Sequence, residues 1–398
     1  MAREMRHSGI EWIGEIPKEW NCQRLKFLCS IQTGNQDTQD ANSEGEYPFY
    51  VRSPLVERSS KYSFDGEGIL MAGDGVGAGR VFHHAFGKYA VHQRVYRLSS
   101  FTNIVPNYLF NYISNLFTRV MDMGSAQSTV PSVRLPMLSN FTVCIPPLSE
   151  QQKIANYLDK VCGEVDEMIA LQEQMIEELK AYKQSVITEA VTKGLNPNTP
   201  MKDSGIDWIG EVPDHWEVKK IGYVFYNLDY LREPISAELR ERNNPQYDYY
   251  GASGVIDKID HYNVEDKVLL IGEDGANLVM RNLPLIYKAE GKFWVNNHAH
   301  ILKPIKDDYN YMAHTLEAAD YRNYITGFAQ PKLSQENLKA VKLPVPPLSE
   351  QQSIASYLDT KCAEIDALIA IKQAKIEELK EYKKSVIYEY VTGKKEVV

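Results

Sequence analysis

Two blocks of sequence occur twice in this chain, and no other feature restricts its possible folds as strongly. The tryptophan block, Ser-Gly-Ile-Glu-Trp-Ile-Gly-Glu-Ile-Pro-Lys-Glu-Trp at 8–20, returns at 204–216 as Ser-Gly-Ile-Asp-Trp-Ile-Gly-Glu-Val-Pro-Asp-His-Trp. The proline–glutamine block, Pro-Pro-Leu-Ser-Glu-Gln-Gln at 146–152, returns unchanged at 346–352. The offsets, 204 − 8 = 196 and 346 − 146 = 200, exceed the period of any solenoid repeat, so the chain is a tandem duplication of one long unit.

Between these blocks the two copies differ. Only short echoes remain, such as 47–50 with 247–250, 91–94 with 295–298, and an Asp-Gly pair at 74–75 and 274–275. Drift after a duplication would blur the blocks and the interiors alike. The contrast indicates that the blocks perform one shared task and that the two interiors perform different ones.

A long helix is predicted after each proline–glutamine block. Pro146 and Pro147 stop the preceding element, because proline lacks an amide donor. Ser149 is expected to cap the helix, and Gln152, three residues later, to reach back as in a capping box. Apolar residues then recur in helical steps without an internal proline, which predicts a helix from about 150 to 192. Such a helix is on the order of 60 Å long, so its natural partner is the helix of the other copy, in a coiled-coil-like pair.

The interiors are predicted to be mixed β structure with short helices. Four apolar runs have the character of strands, namely 68–71, 89–92, 267–271 and 299–302. The glycine-rich segment 73–79 follows the first of these runs, and it is predicted to be a turn because no helix-like sequence follows it. The aspartate and glycine at 274–275 are likewise expected to be turn residues. Trp12, Trp20, Trp208 and Trp216 are predicted to pack in cores.

Composition excludes several classes of protein. Hydrophobic residues make up 43% and charged residues 24% of the chain, as in globular proteins. No apolar run approaches the 18 residues of a membrane span, and the polar N-terminus lacks the apolar core of a signal peptide. The five cysteines are scattered, which indicates a reducing compartment, and we therefore expect a cytoplasmic protein.

The formal net charge of −9 opposes nucleic-acid binding, which needs lysine and arginine to replace counterions. The charge is uneven along the chain. Residues 1–150 hold 14 basic and 14 acidic residues, whereas 201–350 hold 17 basic and 23 acidic residues, a net of −6. Any surface that binds DNA must therefore be local, and the remaining acidic surface is free for protein partners.

No motif for catalysis is convincing. The segment 73–79 resembles a dinucleotide-binding loop only in its glycines, and GxxxxGK[ST] does not occur. The Asn/Asp-Pro-Pro-aromatic motif of amino-methyltransferases is missing as well. His83-His84 and the pair His298 and His300 lack clustered cysteine or carboxylate partners, so we expect no metal site. The sequence predicts that this chain is not an enzyme.

Taken together, the doubled blocks resemble the specificity subunit of type I restriction–modification systems. Three segments of the second interior carry the resemblance further, and they are Tyr-Gly-Ala-Ser-Gly at 250–254, Gly-Glu-Asp-Gly-Ala at 272–276 and Asn-Asn-His-Ala-His at 296–300. The resemblance covers nearly the whole chain. Each segment is weak alone, and the combination is specific.

The resemblance implies an α+β protein with two globular target-recognition domains of mixed α/β structure. Two long helices, paired as an antiparallel coiled coil, separate the domains in an internal pseudo-two-fold repeat. The corresponding boundaries are 1–148 for the first recognition domain and 149–195 for the first helix, with 196–348 for a linker and the second domain and 349–398 for the second helix. Each domain is expected to bind one half of an asymmetric, bipartite site in double-stranded DNA.

The resemblance also implies the partners. Two methyltransferase (modification) subunits dock on the specificity subunit and methylate adenine with S-adenosylmethionine, which requires the base to leave the stack. Motor–nuclease (restriction) subunits, which use ATP and Mg, join for cleavage. This chain itself is expected to hold no cofactor and no metal and to perform no chemistry.

Base edges are contacted by Arg, Lys, Asn, Gln, Ser and Thr, and phosphates take the remaining basic groups. The residues predicted to contact DNA therefore lie in polar loops that differ between the copies. In the first domain these are Arg80, Gln93, Arg94, Gln127 and Ser128, and in the second they are Asn277, Arg281, Asn297, His298, Gln330 and Lys332.

One alternative function belongs to a different class, a scaffold that binds proteins and not DNA. A coiled-coil scaffold, whose globular domains bind proteins, would also use two long helices, and the negative charge favours it slightly. Steep salt dependence of DNA binding distinguishes the two hypotheses, because a protein scaffold has no phosphates to neutralise.

Overall fold

The computed structural model describes residues 3–124, 131–240, 246–327 and 331–397. The chain forms two compact units. Unit 1 contains 1–173 together with 373–398, and unit 2 contains 174–372. Both unit boundaries fall inside long helices, so each unit includes a segment of both helices. The boundaries predicted from the sequence divide the chain along its length, and they stay a prediction.

Unit 1 contains two four-stranded sheets, ordered β6-β5-β10-β7 and β4-β11-β8-β9, and the two-stranded pairs β1-β2 and β12-β3. The strand β8 is buried along its whole length. The bounds of the strands are β1 Met5–His7, β2 Glu15–Pro17, β3 Asn21–Arg24, β4 Ser30–Thr33, β5 Tyr47–Tyr50, β6 Glu57–Ser59, β7 Phe64–Asp65, β8 Gly68–Ala72, β9 Phe82–Ala85, β10 Lys88–Val91, β11 Val95–Ser99 and β12 Thr142–Ile145.

Unit 2 is built around one six-stranded sheet, ordered β16-β21-β19-β20-β17-β18, with the pairs β13-β14, β15-β24 and β22-β23. The runs predicted as strands at 267–271 and 299–302 lie in β19 and β21, as those at 68–71 and 89–92 lie mainly in β8 and β10. The bounds are β13 Met201–Asp203, β14 Glu211–Pro213, β15 Glu217–Lys220, β16 Phe225–Asn227, β17 Tyr247–Gly251, β18 Gly254–Ile259, β19 Val264–Gly272, β20 Ile286–Val295, β21 Ala299–Pro304, β22 Ile325–Thr326, β23 Lys332–Leu333 and β24 Lys342–Val345.

The two units share a strand plan, and short breaks explain why their sheets differ. The long strands β19 and β20 pair antiparallel in unit 2. In unit 1 the same pairing is divided between β8 with β9 and β10 with β7. Gly66 and Gly87 lie at the two breaks with φ of +114° and +69°. A positive φ alone does not end a strand, since Gly291 has φ of +87° inside β20. One continuous sheet in unit 2 therefore corresponds to two shorter sheets in unit 1.

The helices differ greatly in length. Two of them, α3 with 46 residues and α9 with 44 residues, match the long helices predicted from the sequence. The bounds are α1 Pro106–Gly124, α2 Leu135–Ser139, α3 Leu148–Lys193, α4 Ile221–Val224, α5 Ala237–Arg240, α6 Gly275–Met280, α7 Tyr309–Ala318, α8 Gln335–Ala340 and α9 Leu348–Val391.

The predicted capping box at the start of α3 is wrong. The helix begins at Leu148, and the amides of Glu150 and Gln151 donate to the Pro147 carbonyl, so Ser149 already lies in the first turn. Gln152 donates along the helix to Asn156. The prediction from the serine placed the start too late. Pro147 has no backbone N–H that must find an acceptor, and it directly precedes the first turn of the helix.

The buried Gln151 anchors the start of α3 to the chain that precedes it. Its Oε1 accepts from the Val105 amide at 2.7 Å, and its Nε2 donates to the carbonyls of Asn103 and Pro146. Gln351 makes the equivalent contacts in unit 2, accepting from the Asp308 amide at 2.7 Å. In each unit the glutamine therefore fixes the start of a long helix against the loop that precedes α1 or α7.

The tryptophan blocks pack against the proline–glutamine blocks. Trp20 and Trp216 are completely buried in the cores of their units, as predicted, and Trp12 and Trp208 pack at the edges of those cores. Trp20 donates from Nε1 to Glu150 at 3.1 Å, and Trp216 donates to Glu350 at 3.0 Å. The two repeated blocks thus form one structural element in each unit, which explains why both were kept in both copies.

Segments of α3 and α9 pack on each other within each unit. In unit 1 the rings of Tyr157 and Tyr390 lie 4.5 Å apart, and Lys383 pairs with Asp166 at 2.7 Å, so the two segments run antiparallel. In unit 2 the corresponding ion pair joins Lys183 and Asp366, also at 2.7 Å. The same pair of residue types thus links the helices in both units.

One of the predicted turns is a helix. Gly75, with φ of +74°, lies in a turn in unit 1, as the sequence predicted. In unit 2 Gly275 begins the six-residue helix α6, so that prediction is wrong there. Unit 1 has glycines at 77 and 79, which disfavour a helix, whereas unit 2 has Asn277 and Val279 there, which disfavour it less than glycine does.

Within the part of the chain that the structure describes, no helix has the length and apolar character required to cross a bilayer.

Candidate nucleic-acid interface

A hydrogen-bonded turn at the end of the buried strand β8 organises the polar surface of unit 1. The Gly73 amide donates to the Arg94 carbonyl at 2.8 Å, and the Gly73 carbonyl accepts from the Val133 amide at 2.7 Å. The Gly75 amide donates to the Pro131 carbonyl at 3.0 Å. These bonds join the turn at 73–75 both to the loop before β11 and to residues 131–133, which we call the return segment of unit 1.

Unit 2 has the same bonds between different residue types. The Glu273 amide donates to the His298 carbonyl at 2.8 Å, and its carbonyl accepts from Leu333 at 2.9 Å. The Gly275 amide donates to the Pro331 carbonyl at 2.8 Å. The turn at 273–275 and the return segment of unit 2, residues 331–333, therefore repeat the backbone arrangement of unit 1 with other side chains.

A side chain from the next strand holds each return segment. In unit 1 the Tyr96 hydroxyl donates to the Val133 carbonyl at 3.1 Å. In unit 2 the buried His300 donates from Nε2 to the Leu333 carbonyl at 2.8 Å. The backbone arrangement is thus shared, but a phenol holds it in one unit and an imidazole in the other.

The imidazole of unit 2 is also hydrogen-bonded to a buried carboxylate, that of Asp229. His300 Nδ1 lies 2.6 Å from Asp229 Oδ2, and the other carboxylate oxygen accepts from the Ile301 amide at 2.8 Å. Both ring nitrogens of His300 therefore face acceptors. Burial opposes ionisation of Asp229, but the hydrogen bond and charge of His300, with Arg232 nearby, hold the pKa of that carboxyl below its ordinary value.

Basic side chains surround the turn of unit 1. Asp74 pairs with Arg52 at 3.0 Å and with Arg94 at 3.5 Å, and both arginines are largely exposed. Arg80, at the far end of the glycine-rich segment, pairs with Asp122 of α1 at 2.8 Å. Val76 projects from the same segment and is 94% exposed. Guanidinium groups with this exposure can reach phosphates or base edges.

In unit 2 the acidic residue of the turn is Glu273. It pairs with Arg232 at 3.2 Å and with Lys332 at 3.0 Å, while His298 lies 3.9 Å from Asp274. Burial opposes ionisation of Glu273, yet the hydrogen bond and charge of Lys332 hold the pKa of its carboxyl below the ordinary value. The carboxylate is therefore ionised at neutral pH and faces two cations.

The structure brings some of the predicted contact residues of unit 1 together at this surface. Arg80 and Arg94 lie at the glycine-rich segment and at the turn, and Gln93 is exposed beside them, donating to Asp37 at 2.9 Å. Gln127 and Ser128 lie outside the described residues.

Asn277 and Arg281 form bonds within unit 2. Asn277 accepts from the Leu283 amide at 2.9 Å and holds the loop after α6. Arg281, with φ of +52°, donates to the carbonyls of Glu317 and Ala319 and so caps the end of α7. These bonds give both residues a structural role, and their predicted contact with DNA stays a prediction.

The other predicted residues of unit 2 lie near the turn. Asn297 and His298 are exposed in the loop that accepts the Glu273 amide, and Lys332 is in the return segment. Gln330 lies outside the described residues. Sequence reasoning missed Arg52 and Arg232, whose positions carry no echo between the copies, and it assigned His300 no role in this surface.

No group of three or more histidine, cysteine, aspartate or glutamate side chains within the described ranges is arranged to hold a metal ion.

Comparison with known proteins identifies the family. The model of the type I restriction modification DNA specificity domain matches residues 17–181 and 213–381. The EcoDI specificity subunit of Escherichia coli is 23% identical, over 89% of this chain and 84% of the relative. The MjaVIII specificity subunit of Methanocaldococcus jannaschii is 24% identical, over 95% of this chain and 93% of the relative.

The fold comparison agrees. A chain from a solved type I restriction–modification system superposes with a TM-score of 0.68 at 15% identity, covering 94% of this chain and 98% of that chain. Each of the two matched ranges includes one turn and its return segment and extends into the long helix that follows. This chain therefore belongs to the family of type I restriction–modification DNA specificity proteins, and it contains two specificity domains.

Proposed function

We propose that this chain is the DNA-sequence-specificity subunit of a type I restriction–modification enzyme. Each unit binds one half of an asymmetric, bipartite site in double-stranded DNA, and the chain directs adenine methylation or restriction by its partner subunits. The chain performs no catalysis and holds no cofactor. S-adenosylmethionine, ATP and Mg act in the partners.

One observation carries this proposal. Both units present the same hydrogen-bonded turn and return segment, but the polar side chains around them differ: Arg52, Asp74 and Arg94 in unit 1, and Arg232, Glu273 and Lys332 in unit 2. A shared backbone with different donors suits two domains that read different bases, because the pattern of donors and acceptors at base edges determines sequence. Two domains that read different bases would recognise an asymmetric DNA target.

The helices support the second part of the proposal. We infer that α3 and α9 pair as an antiparallel coiled coil, because the ion pair between Lys383 and Asp166 in unit 1 has its counterpart between Lys183 and Asp366 in unit 2. Such a pair would give the chain its internal pseudo-two-fold repeat. A paired spacer of fixed length would also fix the gap between the half-sites, as a flexible linker would not.

A set of exposed apolar residues on these helices supports a shared partner. We call it the exposed helix set, and its members are 47–63% exposed: Met168, Leu171 and Tyr182 on α3, and Leu368, Ile371 and Tyr382 on α9. Each member on α3 has its counterpart 200 residues later on α9. Exposed apolar groups at repeated positions favour contact with a protein that binds twice. Two methyltransferase subunits are the occupants we propose, with restriction subunits joining them.

The net negative charge is compatible with DNA binding at local surfaces, because exposed cations lie at both turns, Arg52 and Arg94 in unit 1 and Lys332 in unit 2. The scaffold alternative gains no support from the comparisons, in which the relatives named above are specificity subunits.

Salt dependence tests the proposal. The logarithm of the affinity for duplex DNA is expected to fall linearly with the logarithm of salt concentration, with a slope of about −0.9 per neutralised phosphate. Fluorescence anisotropy of a labelled duplex at increasing potassium chloride measures the slope. Binding that does not respond to salt, or no binding with or without the methyltransferase subunit, would favour the scaffold instead.

A further inference from the structure

In each unit one carboxylate of the turn holds two cations from separate parts of the chain. Asp74 holds Arg52, which follows β5, and Arg94, which precedes β11. Glu273 holds Arg232, which follows β16, and Lys332, which lies in the return segment. The four cations have no common sequence position, but the arrangement of one acid with two bases occurs in both units.

The acids also come from different positions of the turn. Asp74 is the second residue of its turn, whereas Glu273 is the first residue of the turn in unit 2 and corresponds to Gly73. A single inherited side chain therefore does not explain the arrangement. What the two units share is the geometry, in which the hydrogen-bonded turn directs a carboxylate toward two cations beside the return segment.

A carboxylate at a DNA-binding surface has an electrostatic cost. Phosphates repel it, and it neutralises part of the charge of the cations that would attract them. Asp74 and Glu273 are only 22% and 18% exposed, so they lie beneath more exposed cations, with Arg94 at 64% and Lys332 at 42%. This cost is offset because the acid restricts the conformational freedom of the cation side chains that it holds. Arginine and lysine are long and flexible, and a cation held by a partly buried acid presents its donors in one orientation.

Orientation matters more for recognition than for attraction. A phosphate accepts a cation from many directions, whereas a guanine edge accepts a bidentate pair in only one geometry. In unit 2 Arg232 also donates to the carbonyls of Asn297 and Ala299, which holds the loop of His298 in place. Lys332 is then the exposed cation that Glu273 orients.

We propose that Asp74 and Glu273 are positioning residues for base recognition, each of which weakens overall attraction to DNA and raises discrimination at its own half-site. This inference rests on the proposed function of the chain as a DNA-specificity subunit. It adds that the acidic residues, and not only the basic ones, determine which sequence is read.

The test uses the full chain with the variants Asp74→Asn and Glu273→Gln, which remove the charge and keep the shape. Affinity is measured for four duplexes: the selected target, the target with either half-site scrambled, and the target with both scrambled. For Asp74→Asn we expect tighter binding to the fully scrambled duplex. We also expect discrimination at one half-site to fall by about five-fold or more, with discrimination at the other unchanged. Glu273→Gln has the reverse half-site pattern.

Matched controls remove one negative charge from each unit away from the turn. Glu67→Gln breaks a pair with His84 in unit 1, and Asp248→Asn breaks a pair with Lys258 in unit 2. Both controls are expected to leave discrimination unchanged. Asp74→Glu restores the charge and is expected to recover most of the lost discrimination, which a merely structural defect would not show. Because the two arginines that pair with Asp74 are exposed, the Asp74 variants are expected to fold, and they provide the decisive test if Glu273→Gln fails to fold.

Two outcomes overturn the inference. One is unchanged discrimination in Asp74→Asn, and the other is weaker binding of that variant to the fully scrambled duplex. Either outcome counts against the inference only if the wild-type chain prefers its selected target. A wild-type chain with no preference for any duplex would instead refute the proposed function.

Discussion

Replacing Trp216 with alanine is expected to lower the free energy of unfolding of unit 2 by about 3–5 kcal/mol. The side chain is 1% exposed and packs in a core that includes Val191 at the end of α3. It also donates to Glu350, so the variant loses a hydrogen bond to a charged group in addition to leaving a cavity. Urea unfolding followed by circular dichroism at 222 nm measures the loss.

Trp216→Phe separates the two contributions. It keeps most of the buried ring and loses the donor to Glu350, so an intermediate loss is expected. Trp20→Ala should have an effect on unit 1 similar to that of Trp216→Ala on unit 2, because Trp20 is equally buried and donates to Glu150. A change below about 1 kcal/mol for Trp216→Ala would contradict the role assigned to the tryptophan block.

Placing aspartate at both Leu171 and Ile371 is expected to abolish stable association with the methyltransferase subunit. These residues belong to the exposed helix set and are 53% and 63% exposed, so the isolated chain should tolerate the change. A partner that covers them would have to bury two unpaired carboxylates, which is far more costly than losing apolar contact. Size-exclusion chromatography of the mixed subunits measures association.

Leu195→Asp is the matched control, because it makes the same chemical change at a leucine that is 45% exposed beyond the end of α3. It should leave the complex intact. Wild-type association by the doubly substituted chain would show that the partner binds elsewhere, and unfolding of that chain would show that the exposed helix set is part of a core.

The long helices and the principal strands could be predicted because their signals are local. Helical spacing without proline predicted α3 to within a few residues and the start of α9, and the apolar runs predicted β8, β10, β19 and β21. The capping box failed because serine is a strong signal in isolation, whereas Pro147 and the buried Gln151 determine the start of the helix in the folded chain. The start of the helix therefore depends on side-chain contacts between distant segments, which the local sequence does not reveal.

The candidate site was less predictable for the same reason. Arg94 and Lys332 lie beside their turns, where echoes between the two copies suggested them. Arg52 and Arg232 reach those turns from segments that have no echo, so only the fold reveals them. His300 was visible in the sequence as a histidine, but its pairing with Asp229 depends on a contact across 71 positions.

The sequence that the chain recognises tests the central claim most directly. Purified chain with its methyltransferase subunit is used to select bound duplexes from a randomised library, before and after residues 21–145 are exchanged for those of another family member. We predict two specified segments of different sequence, separated by an unspecified gap, and the exchange should alter one segment alone. A single contiguous motif, or a change in both segments, would contradict the account.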